Sequence, residues 1–153
     1  EVSAKIIGLK HRLAEAHLCF ETLFPVVLTD NGGEFSDVFT LETGLDETKE
    51  TSLFFCDPNK AYQKPRVEKN HTLFRDILPK GSSFDAFTQD TADIIFSHVN
   101  SVKRKQFNGK SPFELFAFAF GQDAPKVLGI SFVEPDQVVQ SPRLLSLIQA
   151  GKA

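Results

Sequence analysis

Val26-Val27-Leu28-Thr29-Asp30-Asn31-Gly32-Gly33-Glu34-Phe35 is the stretch that decides the fold. Its branched apolar run predicts a short buried strand over Val26–Thr29. The run ends in an acid, Asp30. Asn31, Gly32 and Gly33 then predict a turn, which glycine eases because it tolerates positive φ. Phe35 opens the next segment. A strand of this kind delivers a carboxylate to its own C-terminal end, where open α/β sheets place their ligands.

Working outward, residues 51–55 form a second β-branched and aromatic run and predict another strand. Cys56-Asp57-Pro58-Asn59 closes it. Upstream, Val2, Ile6, Leu9 and Leu13 recur at helical spacing and predict a helix over 2–16, with Lys5, Lys10, Arg12 and Glu15 on its polar side. Residues 17–25 read as a connector broken by Pro25. A short helix is expected over 35–43, and the acid-rich stretch 42–50 reads as an exposed, solvated loop. After a loop over 60–64, Pro65 is a good first-turn residue, so a helix is expected over 65–78 with Val67, Leu73, Phe74 and Ile77 facing in. Another, over 89–102, has Thr88 as its cap and Ala92, Ile95, Phe96 and Val99 as its core face. Ser111-Pro112-Phe113-Glu114 has the capping-box pattern and starts a helix over Pro112–Phe120, with Phe113, Phe116, Ala117 and Phe120 on one side. Shorter helices follow over 124–128 and over 141–148, the last with Ser141 as cap.

Composition sets outer bounds. The 153 residues suit one domain or a domain with a tail, and 41% apolar with 24% charged is ordinary for a globular chain. Sixteen Phe against one Tyr and no Trp make the expected core a phenylalanine core. Cys19 and Cys56 are too few for a disulfide framework or a zinc site and read as buried free thiols in a reducing cytosol. No apolar run suits a membrane span, and no secretory signal pattern opens the chain. There is no Met, and Glu1 falls within a helix-like pattern, so a piece of a longer protein is expected. The formal charge of −3 is not that of a self-sufficient nucleic-acid binder. Any grip on DNA has to come from local basic patches or from further parts.

A second acid, Glu68, stands in Gln63-Lys64-Pro65-Arg66-Val67-Glu68-Lys69-Asn70-His71. Asp30 and Glu68 sit on different elements, a strand end and a helix start. Carboxylates from separate rigid elements can converge on Mg²⁺ or Mn²⁺, which prefer oxygen ligands. The positive end of the helix favours the ionised, ligating form of Glu68. Pattern alone leaves the ordinary alternatives open: a solvated or capping Asp at a strand end, and a Glu serving only the helix dipole.

Several strings, taken together and in order, change the balance: Thr29 to Phe35, Phe55-Cys56-Asp57-Pro58, Glu68, Leu78-Pro79-Lys80-Gly81, Asn100 with Lys103-Arg104, and Gly109-Lys110-Ser111-Pro112 with Phe116. From Val26 to Phe120 they resemble the integrase-like catalytic core of bacterial insertion-sequence transposases, most closely the insertion sequence thirty family with its retroviral-integrase-type acidic triad. The resemblance implies an α/β fold of the ribonuclease-H-like class. This chain would hold an incomplete version, with about two central strands flanked by helices and a helical C-terminal tail. It implies that residues 1–110 are the C-terminal part of the core and 111–153 a helical extension. It implies three acidic ligands for Mg²⁺ or Mn²⁺, with Asp30 matching the second and Glu68 the third. The first belongs on an earlier strand that this chain does not contain, so the piece holds two-thirds of a site. The family pattern often has Asn before the third acid, where Val67 stands here. Asn31, Asn70 and His71 are candidates for supporting roles, and Glu34 for a local turn or cap role.

The implied activity is hydrolysis of a phosphodiester at a transposon end, followed by attack of the freed 3′-hydroxyl on target DNA. Implied partners are transposon-end and target DNA and, in the full-length protein, further copies of itself. The implied location is the bacterial cytoplasm, without a membrane. Lys60, Lys64, Arg66 and Lys69 flank Glu68 and offer phosphate contacts; Lys103, Arg104 and Lys105, with Lys110, form a second basic cluster. Three other readings compete: a non-catalytic fragment that binds DNA or a partner transposase, another metal-dependent nuclease of the same fold, and a helical interaction module that contacts its partner through Phe113, Phe116 and Phe120.

Overall fold

Elements form close to where periodicity puts them. The computed structural model describes residues 2–57, 65–84 and 87–151, with the backbone alone for 65–69. The first helix, α1 (Val2–Glu15), buries Leu13. A four-residue helix, α2 (Phe20–Leu23), lies inside the expected connector. It is too short for periodicity to reveal, and the burial of Phe20 and Leu23 sets it. Strand β1 (Val26–Thr29) follows, then a 3-10 turn over Gly33–Phe35 and α3 (Val38–Glu42), which Asp37 caps by accepting the Thr40 N–H. Strand β2 (Ser52–Phe55) pairs with β1 in parallel, Val26 opposite Ser52 and Leu28 opposite Phe54.

The described chain falls into two compact units, 1–65 and 66–153. In the first, Leu13, Phe20, Leu23, Leu41 and Cys56 are buried, whereas Cys19, expected to be buried too, is exposed. Two polar expectations are overturned there. Lys10 lies on the intended polar face of α1 yet is 3% exposed. Its ammonium donates to the Leu41 carbonyl at 3.2 Å and to the Thr43 carbonyl, and lies 3.5 Å from the Glu50 carboxylate. Those carbonyls belong to the C-terminal end of α3, where the helix leaves acceptors without partners and carries negative partial charge. The Phe20 ring sits 4.8 Å below the same ammonium. Nor are all the acids of 42–50 merely solvated. Glu42 accepts the Leu53 N–H of β2 at 2.8 Å and pairs with Lys49, contacts that hold its carboxyl below the ordinary range, with the backbone bond first.

The strand expected to be buried is not. Val26 and Leu28 are 58% and 44% exposed, and Phe54, which shares their face in the register, is 54% exposed. Parallel sheets normally have both faces covered. Among the described residues no third strand joins this pair.

The second unit is helical. α4 (Pro65–Ile77), α5 (Gln89–Ser101), α6 (Pro112–Phe120), α7 (Asp123–Val127) and α8 (Arg143–Gln149) make it up. Its core is Ile77, Ile95, Val99 and Leu144, with Leu73, Phe74, Val139 and Ile148 packed round it. Phe96, expected inside, is 42% exposed but stacks on Phe74 with ring centroids 5.6 Å apart. Thr88 caps α5 as its sequence position predicts, and Ser111 with Glu114 forms the full capping box of α6. Ser141 is not the cap of α8; Pro142 holds that position and no side chain caps the helix.

The segment after α7 is tied to α5 by side chains. Ser97 accepts the Ser131 N–H at 2.9 Å, Ser101 the Val133 N–H at 2.9 Å, and His98 Nδ1 the Val139 N–H at 3.0 Å. These three buried polar residues replace a sheet ladder for that backbone. No described helix is long and apolar enough to cross a membrane.

Candidate functional site

Asp30 lies directly after β1, exposed, at the carboxyl end of the parallel pair. That is the end at which α/β sheets present ligating side chains. Its Oδ1 accepts the Gly32 N–H at 3.3 Å, which folds the following turn back on the strand. The Asn31 amide donates to the Cys56 carbonyl at 3.4 Å, and the Cys56 N–H donates to the Thr29 carbonyl at 2.8 Å. Strand ends and turn are therefore joined by two bonds around Asp30. Neither Gly32 nor Gly33 takes positive φ, contrary to the expectation for this turn. The space at Gly32 matters instead: a Cβ there would meet the Glu34 carboxylate at 2.5 Å. Glu34 thus folds over the turn, the local role expected for it.

Glu68 occupies the first turns of α4 by its backbone position. Its side chain, with those of Arg66 and Lys69, lies outside the described residues, as do Lys60 and Lys64 entirely. Two residues on, Asn70 Oδ1 is buried and has no hydrogen-bond partner. His71 is exposed. Among the described residues no three His, Cys, Asp or Glu side chains gather in a metal-binding group.

The second basic cluster is more built than a solvated face. Arg104 anchors a tight loop: its N–H donates to the Lys110 carbonyl at 3.0 Å, and its carbonyl accepts from Phe107 and Gly109. Asn108, in the left-handed region at φ 53°, closes the turn. The Arg104 guanidinium lies 5.9 Å from the Phe107 ring, with Nε and Nη2 buried and without partners. Burial lowers its pKa, though an arginine so placed still carries its charge. Lys103 and Lys105 flank it, exposed. A hydrogen-bonded loop with cations on both sides is chemically able to contact phosphates, which needs position but no sequence information.

The phenylalanine face of α6 is half-buried. Phe116 pairs with Phe120 at 4.8 Å and Phe113 with Phe132 at 5.4 Å. The exposed aromatic of this helix is Phe118.

This chain is similar to insertion-sequence transposases and to an integrase. It is 34% identical over 65 residues to the transposase for insertion sequence element IS1086 of Cupriavidus metallidurans, a match covering 42% of this chain and 19% of that protein. It is 30% identical over 77 residues to transposase InsI for insertion sequence element IS30A of Escherichia coli, covering 50% and 18%. It is also 31% identical over 90 residues to the putative integrase ORF3 of Spiroplasma virus SpV1-R8A2 B, covering 59% and 27%. The resemblance carried by the motifs is thus found in these relatives, of whose length the matched stretches span about a fifth to a quarter. No family model matches the chain. No solved structure matches it.

Proposed function

We propose that this chain is part of a transposase catalytic core of the ribonuclease-H-like class, acting in DNA transposition by metal-dependent phosphodiester hydrolysis and strand transfer. One observation carries the reading: Asp30 directly follows β1 at the carboxyl end of a parallel strand pair, and the next long helix begins with Glu68 in its opening turns. The similarity to transposases and an integrase supports it. So does the open sheet face, because a parallel pair normally has both faces covered and a covering layer would come from further parts of the protein. Residues 1–110 would be the C-terminal part of the core and 111–153 its helical extension.

Asp30 and Glu68 offer carboxylate oxygens, the donors that Mg²⁺ and Mn²⁺ take. Bound divalent ions would supply Lewis-acid stabilisation at the reacting phosphodiester. Asp30 would be held ready by the Gly32 N–H and by the Asn31 bridge between the strand ends. Arg104, Lys103 and Lys105, with Lys60, Lys64, Arg66 and Lys69 beside Glu68, would take transposon-end and target DNA by its phosphates. A third acid, from a part of the protein beyond this chain, would complete the set, and the assembled protein would work in the bacterial cytoplasm as a homo-oligomer.

The test is cleavage of transposon-end DNA by the longer protein. Asp30→Ala and Glu68→Ala are each expected to abolish Mg²⁺-dependent cleavage with the thermal melt unchanged. Undiminished cleavage in either variant overturns the assignment.

A further inference from the structure

Pro112-Phe113-Glu114-Leu115-Phe116-Ala117-Phe118-Ala119-Phe120 has one charged residue, so α6 is apolar almost all round. A helix of that kind is ordinarily covered on every side. Here Ala117 is buried, while Leu115 and Ala119 are exposed and Phe118 is 90% exposed. A groove of about 860 Å³ follows the helix from Lys110, before it, to Gln122, after it. Phe113, Ala117, Phe118, Ile130 and Phe132 line it. A helix of nine residues runs about 13 Å, the length of roughly two and a half turns of another helix laid beside it.

The charges round this groove are mostly of one sign. Lys110 and Lys126 are exposed and line it, against one acid, Glu114. Glu114 is already engaged, accepting the Ser111 N–H at 2.7 Å within the capping box. That bond first, and then the charges of Lys110 and Lys103, hold its carboxyl below the ordinary range. Lys126 lies 3.0 Å from Asp123, but both are exposed, and a pair of that kind is worth little against a new partner. Between Lys103 and Lys126 the chain has five cations and two acids, although its formal charge as a whole is −3. A nucleic acid would meet these cations with phosphate but bring nothing aliphatic to the apolar lining. The occupant that fits both features is apolar on one side and acidic along its edges.

We propose that the groove along α6 docks an acidic amphipathic helix of a partner protein. The apolar stripe of that helix packs on Phe118 and the groove lining, and its flanking carboxylates meet Lys110 and Lys126. Recognition of a helix in a groove reads apolar anchors at i, i+3 or i+4, and i+7. Phe118 supplies most of the contact energy, as a large aromatic that loses its water on docking. The lysines supply the choice of partner, since opposite charge speeds encounter and like charge is penalised.

Docking at α6 needs neither Asp30 nor Glu68, so it stands or falls apart from the metal-site reading. The test is fluorescence anisotropy of labelled synthetic peptides titrated with the 153-residue chain. One peptide is an amphipathic helix with a stripe of Leu and Phe flanked by Glu. A second has every Glu replaced by Lys, and a third has the first one's residues in scrambled order. The acidic helix is expected to bind at least about tenfold tighter than either. Phe118→Ala should weaken it by roughly thirtyfold, with the circular-dichroism melt unchanged because the side chain is exposed. Lys110→Glu together with Lys126→Glu should reverse the preference, so that the Lys peptide binds better. Three outcomes overturn the proposal: equal binding of the acidic and basic helices, a Phe118→Ala chain that binds as well as the parent, or a chain that takes a DNA oligonucleotide through Phe118 and no peptide.

Discussion

The two units solve the same problem by different means. Residues 66–153 bury a contiguous aliphatic core, Ile77, Ile95, Val99 and Leu144, and then tie an irregular tail to α5 with Ser97, His98 and Ser101. The described residues of 1–65 bury Leu13, Phe20, Leu23, Leu41 and Cys56 but leave one face of the β1–β2 pair open. They rely on a buried cation, Lys10, to hold the end of α3. The difference teaches that the catalytic candidate Asp30 sits on the less finished half. Its turn is held by hydrogen bonds rather than by packing.

The comparison can be broken most directly through the larger core. Ile95→Ala should cost about 3 kcal/mol in denaturant unfolding, the transfer free energy plus the cavity left behind. Hydrogen exchange should place the lost protection in α4, α5 and α8. Equal loss at the β1–β2 amides would show that the units do not behave separately.

Lys10→Met should cost somewhat less, about 2 kcal/mol, because it leaves the Leu41 and Thr43 carbonyls and the Glu50 carboxylate without their cation. The loss should appear in α1 and α3. A neutral effect would mean that apolar packing alone holds this half, and the contrast would vanish.

The smallest effect concerns acidification. Burial holds the His98 imidazole below its ordinary pKa, so it is folded in the neutral form with Nδ1 accepting from Val139. The unfolded chain therefore takes up the proton first. The stability from this group is whole above about pH 6.5 and is lost as the pH falls from there through the depressed folded value. About 1 kcal/mol is at stake, the net worth of one such bond. The Val139 amide should exchange faster at pH 5 than at pH 7, after correction for the intrinsic rate. Unchanged protection would remove His98 from the account of the tail.

How much of this was legible depended on how local each cause is. The capping box of α6 was readable because Ser111 and Glu114 satisfy each other within one turn. The position of Asp30 was readable because an apolar run, an acid and a glycine turn follow in immediate succession. Lys10 was not, since its partners lie some thirty residues away and nothing in α1 announces them. Ser97, Ser101 and His98 escaped notice for the same reason, because the backbone they satisfy belongs to another segment. The exposure of Val26 and Leu28 was misread because apolar content reports what a strand prefers to bury, not what is present to bury it.

By itself the sequence determined most of the elements, the caps of α5 and α6, the strand that leads into Asp30 and the resemblance to transposases. These rest on interactions within a turn or two, or on strings that survive as strings. Tertiary structure alone decided which polar groups are interior, which apolar faces stay open and that Phe118 stands beside a groove. Burial is a property of what surrounds a side chain, and the surroundings are assembled from distant parts of the chain.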